Sequence, residues 1–130
     1  MKANELRIGN YVKHPRNDFA MVESIQRSAQ GLYALTFKDE AAGYWIEHDG
    51  ESICEGIPLT EDWLIKFGAF KETTNILILS RFKLIWKDKY KYWYVIDRNE
   101  ETYYTKLEFL HEFQNLYFAL NGEELKLSNK

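Results

Sequence analysis

The sequence predicts an α+β fold, in which two helices pack on a twisted, mainly antiparallel sheet. Most of the chain alternates apolar and polar residues with the period of a strand, and only two segments carry helix-capping residues. At 130 residues and 45% hydrophobic content, the chain can bury a core without disulfides. We therefore expect a single domain over residues 1–130, or alternatively a β lobe over 1–56 and an α+β part over 57–130.

The first half of the chain is predicted to form four short strands. They cover residues 5–13, 19–26, 32–38 and 44–48. Gly9-Asn10 marks a turn or bulge within the first strand, and the segment HPRND separates it from the second. Short strands with tight turns favour either a small, strongly twisted sheet or a partly open, barrel-like lobe.

The first predicted helix is short and has both a start and a stop signal. Thr60 is a good N-cap residue, and Glu61 and Asp62 follow it where the helix dipole favours negative charge. Gly68 is the expected left-handed stop. This pattern predicts about two turns of helix over residues 61–67.

Strand patterns return after this helix and lead into a longer one. The later predicted strands cover residues 76–79, 81–87, 92–97 and 102–104. The segment TKLE, Thr105 to Glu108, has the pattern of a capping box, and apolar residues then repeat at helical spacing. The sequence therefore predicts a helix over residues 106–120 that buries one apolar face against the sheet.

Three blocks of the sequence form a recognisable set. They are ELRIGNYV near the start, IPLTEDWLIKFGAF in the middle and HEFQNLYFALNGEEL near the end. With them the chain resembles a family of small proteins from Bacteroidota genomes and their phages, whose blocks are similar to LRIGNWV, IPLTEEWLLKFGF and VHQLQNLYFALTGEEL. His111, Gln114 and Asn115 match that pattern, whereas Asn121 stands where the family tends to have Thr. The resemblance implies a phage or mobile-element origin and carries over no catalytic residue.

Charge, cysteine content and hydropathy limit the functional classes and the cellular compartments that fit this chain. A net charge of −3 argues against a dedicated duplex-DNA binder, which is usually basic. The single cysteine, Cys54, allows no internal disulfide and fits a reducing compartment. The first ten residues contain no apolar signal-peptide region, and the chain contains no run of 18 apolar residues, so we expect a cytoplasmic protein without membrane contact.

The segment RFKLIWKDKYKYWYV, residues 81–95, combines basic and aromatic residues in one predicted hairpin. Alternation puts about half of its aromatic residues in the core and the others beside the basic ones. Such a face can stack bases and neutralise phosphates, or it can be an ordinary solvated face on which lysine stems cover tyrosine rings. The predicted surface for nucleic acid or an acidic partner consists of Arg81, Lys83, Lys87, Tyr92 and Tyr94.

The middle of the chain has the opposite charge. From Asp39 to Ile65 the sequence contains eight carboxylates and no Lys or Arg. Charge separation of this kind can steer a basic partner or drive head-to-tail self-association between copies of the chain. The alternative is a solvated loop that keeps the protein soluble.

Few residues have the pattern of a chemical site. Glu47 and Asp49 would share a strand face, but no recognised ligand spacing surrounds them, so we predict no metal site and no cofactor. Cys54 has no base fixed beside it, and no catalytic residue is predicted.

The second helix carries the best candidate for a partner-binding site. His111, Gln114 and Asn115 lie three and four residues apart there and share one stripe of its surface. The alternative is the ordinary polar side of a helix. In an enzyme, His111 would be the residue that acts.

Surplus aromatic residues, separated charges and the lack of a catalytic pattern indicate a non-enzymatic module that binds a protein partner or itself. One alternative is a nucleic-acid-binding module that uses the hairpin at 81–95. The other is a small enzyme of unknown type.

Overall fold

The computed structural model describes residues 6–14, 17–27, 33–38, 44–46, 56–99 and 103–127. The chain divides into two compact units, Met1–Ile57 and Pro58–Lys130, which we call unit 1 and unit 2 and describe separately. In the described residues, antiparallel sheets and two helices make up these units, and the predicted α+β fold class is thereby confirmed.

Unit 1 contains an open antiparallel sheet in the strand order β1-β2-β3-β4. Its strands are β1 (Tyr11–His14), β2 (Asn17–Arg27), β3 (Tyr33–Phe37) and β4 (Tyr44–Ile46). In the part of unit 1 that the structure describes, β1 and β4 form the two edges and do not pair with each other. The described strands therefore form an open sheet and not a closed barrel.

A small apolar core and a tight loop order this sheet. The core residues are Leu6, Val12, Ala20, Val22, Leu35 and Phe37, with Ile25 packed against them. In the loop before β1, Gly9 has φ 98°, which glycine adopts without steric cost. The buried side chain of Asn10 accepts a hydrogen bond of 2.6 Å from the backbone N–H of Arg7. This bond satisfies a polar group that burial would otherwise leave unmatched.

The described part of unit 2 forms a five-stranded antiparallel meander with two helices. Its elements in chain order are α1 (Glu61–Lys66), β5 (Phe70–Thr73), β6 (Ile76–Leu79), β7 (Phe82–Lys87), β8 (Tyr92–Asp97), β9 (Tyr103–Leu107) and α2 (Leu110–Asn121). The strand order β5-β6-β7-β8-β9 follows the sequence, so each strand pairs with its neighbours along the chain.

The predicted signals of α1 are present at both ends. The Oγ1 atom of Thr60 accepts a hydrogen bond of 3.3 Å from the backbone N–H of Trp63. Gly68 follows the helix with φ 102°, the left-handed conformation expected of its stop. The buried Leu64 fixes one face of this short helix in the core.

The longer helix begins at Leu110, four residues later than predicted, and the capping box predicted at Thr105 is wrong. Thr105 and its neighbours belong to β9 because they pair with β8. Instead, the Glu112 carboxylate accepts hydrogen bonds of 3.0 and 2.9 Å from the backbone N–H groups of Glu108 and Phe109. Pairing along a whole strand outweighs a local capping pattern.

One face of the unit 2 sheet packs against α2. The rings of Phe113 and Tyr117 lie 5.6 and 5.7 Å from the ring of Phe82 in β7, and Phe82 and Phe113 are fully buried. The core of unit 2 therefore lies on this side of the sheet. We call the opposite side the outer face.

Candidate functional site

The hairpin of β7 and β8 brings most of the predicted basic and aromatic residues together on the outer face. Lys87 lies opposite Tyr92 in the register, and directly opposite residues share a face. Lys83 and Tyr94 are an even number of residues away on the same strands, so their side chains project to the same side. These four of the five predicted residues therefore form one surface.

A four-residue loop, residues 88–91, sets this register. The backbone N–H groups of Tyr90 and Lys91 both donate to the carbonyl oxygen of Lys87, at 3.1 and 2.8 Å. Lys91 has φ 59°, and its ammonium lies 2.9 Å from the Asp88 carboxylate. The loop is thus closed by its own backbone and by one ion pair.

Residues of β9 extend the surface. Tyr103 lies opposite Ile96 and Lys106 lies opposite Tyr94, which places both on the outer face. We name this surface the Lys/Tyr face; it consists of Lys83, Lys87, Tyr90, Tyr92, Tyr94, Tyr103 and Lys106.

Two stacked pairs of tyrosines lie at the centre of the Lys/Tyr face. The rings of Tyr94 and Tyr103 are 4.5 Å apart at an interplanar angle of 11°. The rings of Tyr90 and Tyr92 are 5.6 Å apart at 14°. Offset or stacked aromatic pairs contribute about 0.5–1.5 kcal/mol beyond their buried area. Within each pair, the two rings therefore stabilise each other's position.

Two lysines cross this arrangement diagonally. Lys87 is paired with Tyr92, but its Nζ atom lies over the ring of Tyr94, 5.5 Å from the centroid. Lys106 is paired with Tyr94, but its Nζ atom lies over Tyr92, at 5.3 Å. Such cation–π contacts at exposed sites contribute about 0.5–1 kcal/mol each. The lysine stems and the tyrosine rings thus cover one another.

The Lys/Tyr face carries positive charge that carboxylates offset only in part. The Nζ atom of Lys83 lies 3.8 Å from the Glu72 carboxylate. Among the described residues, neither Lys87 nor Lys106 has a carboxylate within ion-pair distance. The two lysines over the tyrosines are therefore the available cations of this surface.

A bulge in β9 explains why sequence analysis missed Tyr103 and Lys106. The register runs from Val95 opposite Thr105 to Ile96 opposite Tyr103, which leaves Tyr104 as the extra residue. Simple alternation would place Tyr103 and Lys106 on opposite faces, because they are three residues apart. No residue in YYTKL signals the bulge in advance.

Arg81 does not join the Lys/Tyr face. It lies in the turn between β6 and β7, beside Ser80 with φ 55°. Its Nη2 atom is 3.6 Å from the carboxylate of the buried Asp97, and its Nη1 atom donates to the carbonyl oxygen of Leu120 at 3.4 Å. Arg81 therefore links the sheet to the end of α2.

Asp97, which lies close to Arg81, also forms a polar contact with Tyr104. The hydroxyl of Tyr104 donates to the Oδ2 atom of Asp97 at 2.6 Å, and its ring packs on Phe82. This hydrogen bond to a carboxylate raises the pKa of Tyr104 above the ordinary value. The contact anchors the bulge of β9 to β8, and it is structural in character.

The three predicted residues of α2 are largely covered. His111 and Gln114 are 3% and 0% exposed, and Asn115 is half-buried. The ring of His111 stacks on Phe109, with centroids 5.9 Å apart. A partner could contact His111 or Gln114 only if α2 moved, so a role in packing accounts for their positions.

Other candidates from the sequence fall on a different part of the chain. Cys54, Glu47 and Asp49 lie outside the described residues, as does most of the acidic stretch that begins at Asp39. Within the described ranges, no three His, Cys, Asp or Glu side chains come together as metal ligands would. In the same ranges, the helices are too short and too polar to cross a lipid bilayer.

No protein-family model, no curated protein and no solved structure matches the chain.

Proposed function

We propose that this protein is a non-enzymatic interaction module that binds an acidic partner protein through the Lys/Tyr face of unit 2. The observation that carries the proposal is the crossed arrangement in which Lys87 covers Tyr94 and Lys106 covers Tyr92. These side chains hold one another in a single geometry before a partner arrives, so binding orders them little further. Tyrosine is among the residues enriched at protein interfaces.

The chemistry of the face suits carboxylates. Tyrosine hydroxyls and lysine ammonium groups are hydrogen-bond donors, and ionised Asp and Glu side chains only accept. Hydrogen bonds between an ammonium and a carboxylate are about twice as strong as neutral ones. Because Lys87 and Lys106 have no carboxylate neighbour in the described part of the chain, a partner can supply it.

The chain itself contains a segment of matching charge. Residues 39–65 carry eight carboxylates and no Lys or Arg. A second copy of the chain is therefore a partner with the required chemistry, and self-association is the simplest form of the proposal.

The ring contacts favour a protein partner over single-stranded nucleic acid. Stacking of bases needs an open aromatic face. The ring of Tyr94 already has a parallel ring at 4.5 Å and an ammonium over it, and Tyr92 has a ring at 5.6 Å and an ammonium over it. On Tyr92 and Tyr94, hydroxyl edges and ammonium groups, rather than ring faces, are left for a partner.

The experiment measures binding of a synthetic peptide, residues 39–56 of this chain, by fluorescence anisotropy at low salt. A single-stranded oligothymidylate serves as the nucleic-acid probe, and light scattering gives the mass of the protein alone. The test variant is Lys87→Glu with Lys106→Glu. The control is Lys66→Glu with Lys126→Glu, which makes the same change in charge at exposed lysines away from the face.

We expect the peptide to bind the unmodified protein and the control, to bind at least tenfold more weakly to the test variant, and to dissociate as salt is added. Equal losses in both variants would attribute binding to net charge alone and reject the proposal. Binding of oligothymidylate without binding of the peptide would reject it in favour of a nucleic-acid module.

The phage or mobile-element origin is also a proposal. The blocks that carry the resemblance coincide with the loop around Asn10, with α1 and its caps, and with α2. Genome neighbourhood tests the proposal, since genes of phage structure or integration beside the coding region would support it and their absence from related loci would contradict it.

A further inference from the structure

A cleft of about 350 Å³ opens in unit 2 between the start of α1 and the inner side of the sheet. The residues that define its chemistry are Thr60, Glu61, Lys71, Thr74, Trp86 and Trp93. Ligand-binding pockets have volumes of about 300–1,000 Å³, so this cleft has room for one small molecule. It shares no residue with the Lys/Tyr face.

Two tryptophans form the apolar wall of the cleft. The indole N–H of Trp93 donates to the carbonyl oxygen of Leu59 at 2.7 Å, which fixes a ring that is only 4% exposed. Trp86 lies beside it, with ring centroids 5.2 Å apart and an angle of 53° between the planes. Its N–H lies 3.4 Å from the Asp88 carboxylate. With both N–H groups engaged, the partly buried Trp86 offers apolar ring surface to a ligand, and the buried Trp93 packs against it.

Trp86 is the ring of this wall that a ligand can reach. Trp93 is buried and lies in contact with it, at 5.2 Å between centroids, so the position of the Trp86 ring is fixed from one side. The apolar C–H groups of a ring molecule can pack on the exposed part of Trp86.

The polar side of the cleft is an ion pair with no net charge. The Nζ atom of Lys71 lies 2.9 Å from the Oε1 atom of Glu61, and both side chains are partly exposed. A charged ligand would have to compete with one member of this pair. A neutral hydroxyl group can donate to Glu61 and accept from Lys71 without separating them.

We propose that this cleft binds one uncharged, hydroxyl-bearing ring molecule of the carbohydrate class. Its C–H face packs on the ring of Trp86, and its hydroxyl groups contact Lys71, Glu61 and Thr74. A purely apolar molecule would shield the partly exposed ion pair from solvent without offering it a hydrogen bond, which is unfavourable. The volume of the cleft limits the ligand to a monosaccharide or a disaccharide.

The test is saturation-transfer difference NMR with glucose, N-acetylglucosamine and maltose. The signal is read on the sugar, so it does not depend on which tryptophan a variant lacks. Sorbitol provides a hydroxyl-rich control without a ring, glucuronate a charged control, and adenosine a planar aromatic one. For a ligand of this size we expect a Kd of about 1 mM.

Trp86→Leu is expected to weaken sugar binding about tenfold, because the exposed aromatic ring of the cleft is lost. Trp63→Leu removes a tryptophan of the same unit outside the cleft and should leave binding unchanged. Glu61→Gln leaves Lys71 without its ion-pair partner and should shift the preference toward glucuronate. Circular dichroism checks that each variant is folded.

Three results would overturn the proposal. One is the absence of a saturable signal from every neutral sugar with the unmodified protein. Another is an equal or stronger signal from sorbitol, glucuronate or adenosine. The third is equal weakening by Trp63→Leu and Trp86→Leu in folded proteins.

Discussion

The ammonium of Lys106 lies over the ring of Tyr92, although the sheet register pairs Lys106 with Tyr94. In the same way, the ammonium of Lys87 lies over the ring of Tyr94, although the register pairs Lys87 with Tyr92. Diagonal neighbours on a sheet face are within reach of long and aromatic side chains. The two contacts therefore couple β7, β8 and β9 in addition to their backbone hydrogen bonds.

This coupling can be measured by a double-mutant cycle. We expect Lys106→Ala and Tyr92→Ala to be non-additive by about 0.5–1 kcal/mol in free energy of unfolding, measured by urea denaturation. As a control, Lys66→Ala with Tyr92→Ala should be additive within about 0.5 kcal/mol, since the two residues are not in contact. Additivity in both cycles would show that the Lys106–Tyr92 contact is not formed in solution.

A second prediction concerns the contact that anchors β9. Tyr104→Phe removes a donor from the buried Asp97 carboxylate and should lower the free energy of unfolding of unit 2. The matched change Tyr103→Phe alters an exposed hydroxyl on the other face and should stay within about 0.5 kcal/mol. Urea denaturation of both variants tests whether the Tyr104–Asp97 hydrogen bond stabilises the fold. Equal free energies of unfolding for the two variants would show that it does not.

The same hydrogen bond predicts a dependence on alkaline pH. It raises the pKa of Tyr104 above the ordinary value of 10.0, so the unfolded chain releases this proton at lower pH than the folded one. The stability it contributes is complete below pH 10.0 and is lost as the pH rises through the folded pKa. Urea midpoints from about pH 8 to about pH 11 should fall less steeply for Tyr104→Phe than for Tyr103→Phe. Equal slopes would contradict the assignment.

A further prediction concerns the start of α2, where the observed capping contact differs from the one that the sequence pattern predicts. Glu112→Ala removes the acceptor for the backbone N–H groups of Glu108 and Phe109, and should cost about 1 kcal/mol. Glu108→Ala, which would disrupt the box predicted from TKLE, should change stability by less than about 0.5 kcal/mol. The reverse order in urea denaturation would place the helix start at Lys106.

Sequence patterns located elements whose signals are local. The caps of α1 are a hydroxyl at Thr60 and a glycine at Gly68, and each acts within a few residues. The hairpin of β7 and β8 was also predictable, because alternation over six residues assigns Phe82 and Lys83 to opposite faces. These features need no information about the rest of the chain.

Other features depend on contacts that the local sequence does not record. The strand β5 has four exposed residues and no apolar alternation, and it exists because β6 offers it a pairing edge. The bulge at Tyr104 follows from the contacts of that residue with Asp97 and Phe82. Arg81 was predicted to lie on the surface with the lysines. It lies elsewhere because its guanidinium, in the turn, is attracted to the carboxylate of the buried Asp97. In each case the decisive partner lies on another element.

The meander order of unit 2 has a consequence for how this unit folds. Turns of two residues connect β5 to β6 and β6 to β7, so each new strand has only a short loop to close before it pairs. Low contact order of this kind is typical of sheets that form quickly. A much longer closure joins the backbone N–H of Leu59 to the carbonyl oxygen of Glu108, because all five strands lie between these two residues in the sequence. We therefore expect the five strands to assemble in order from one end, with the segment before α1 docking last.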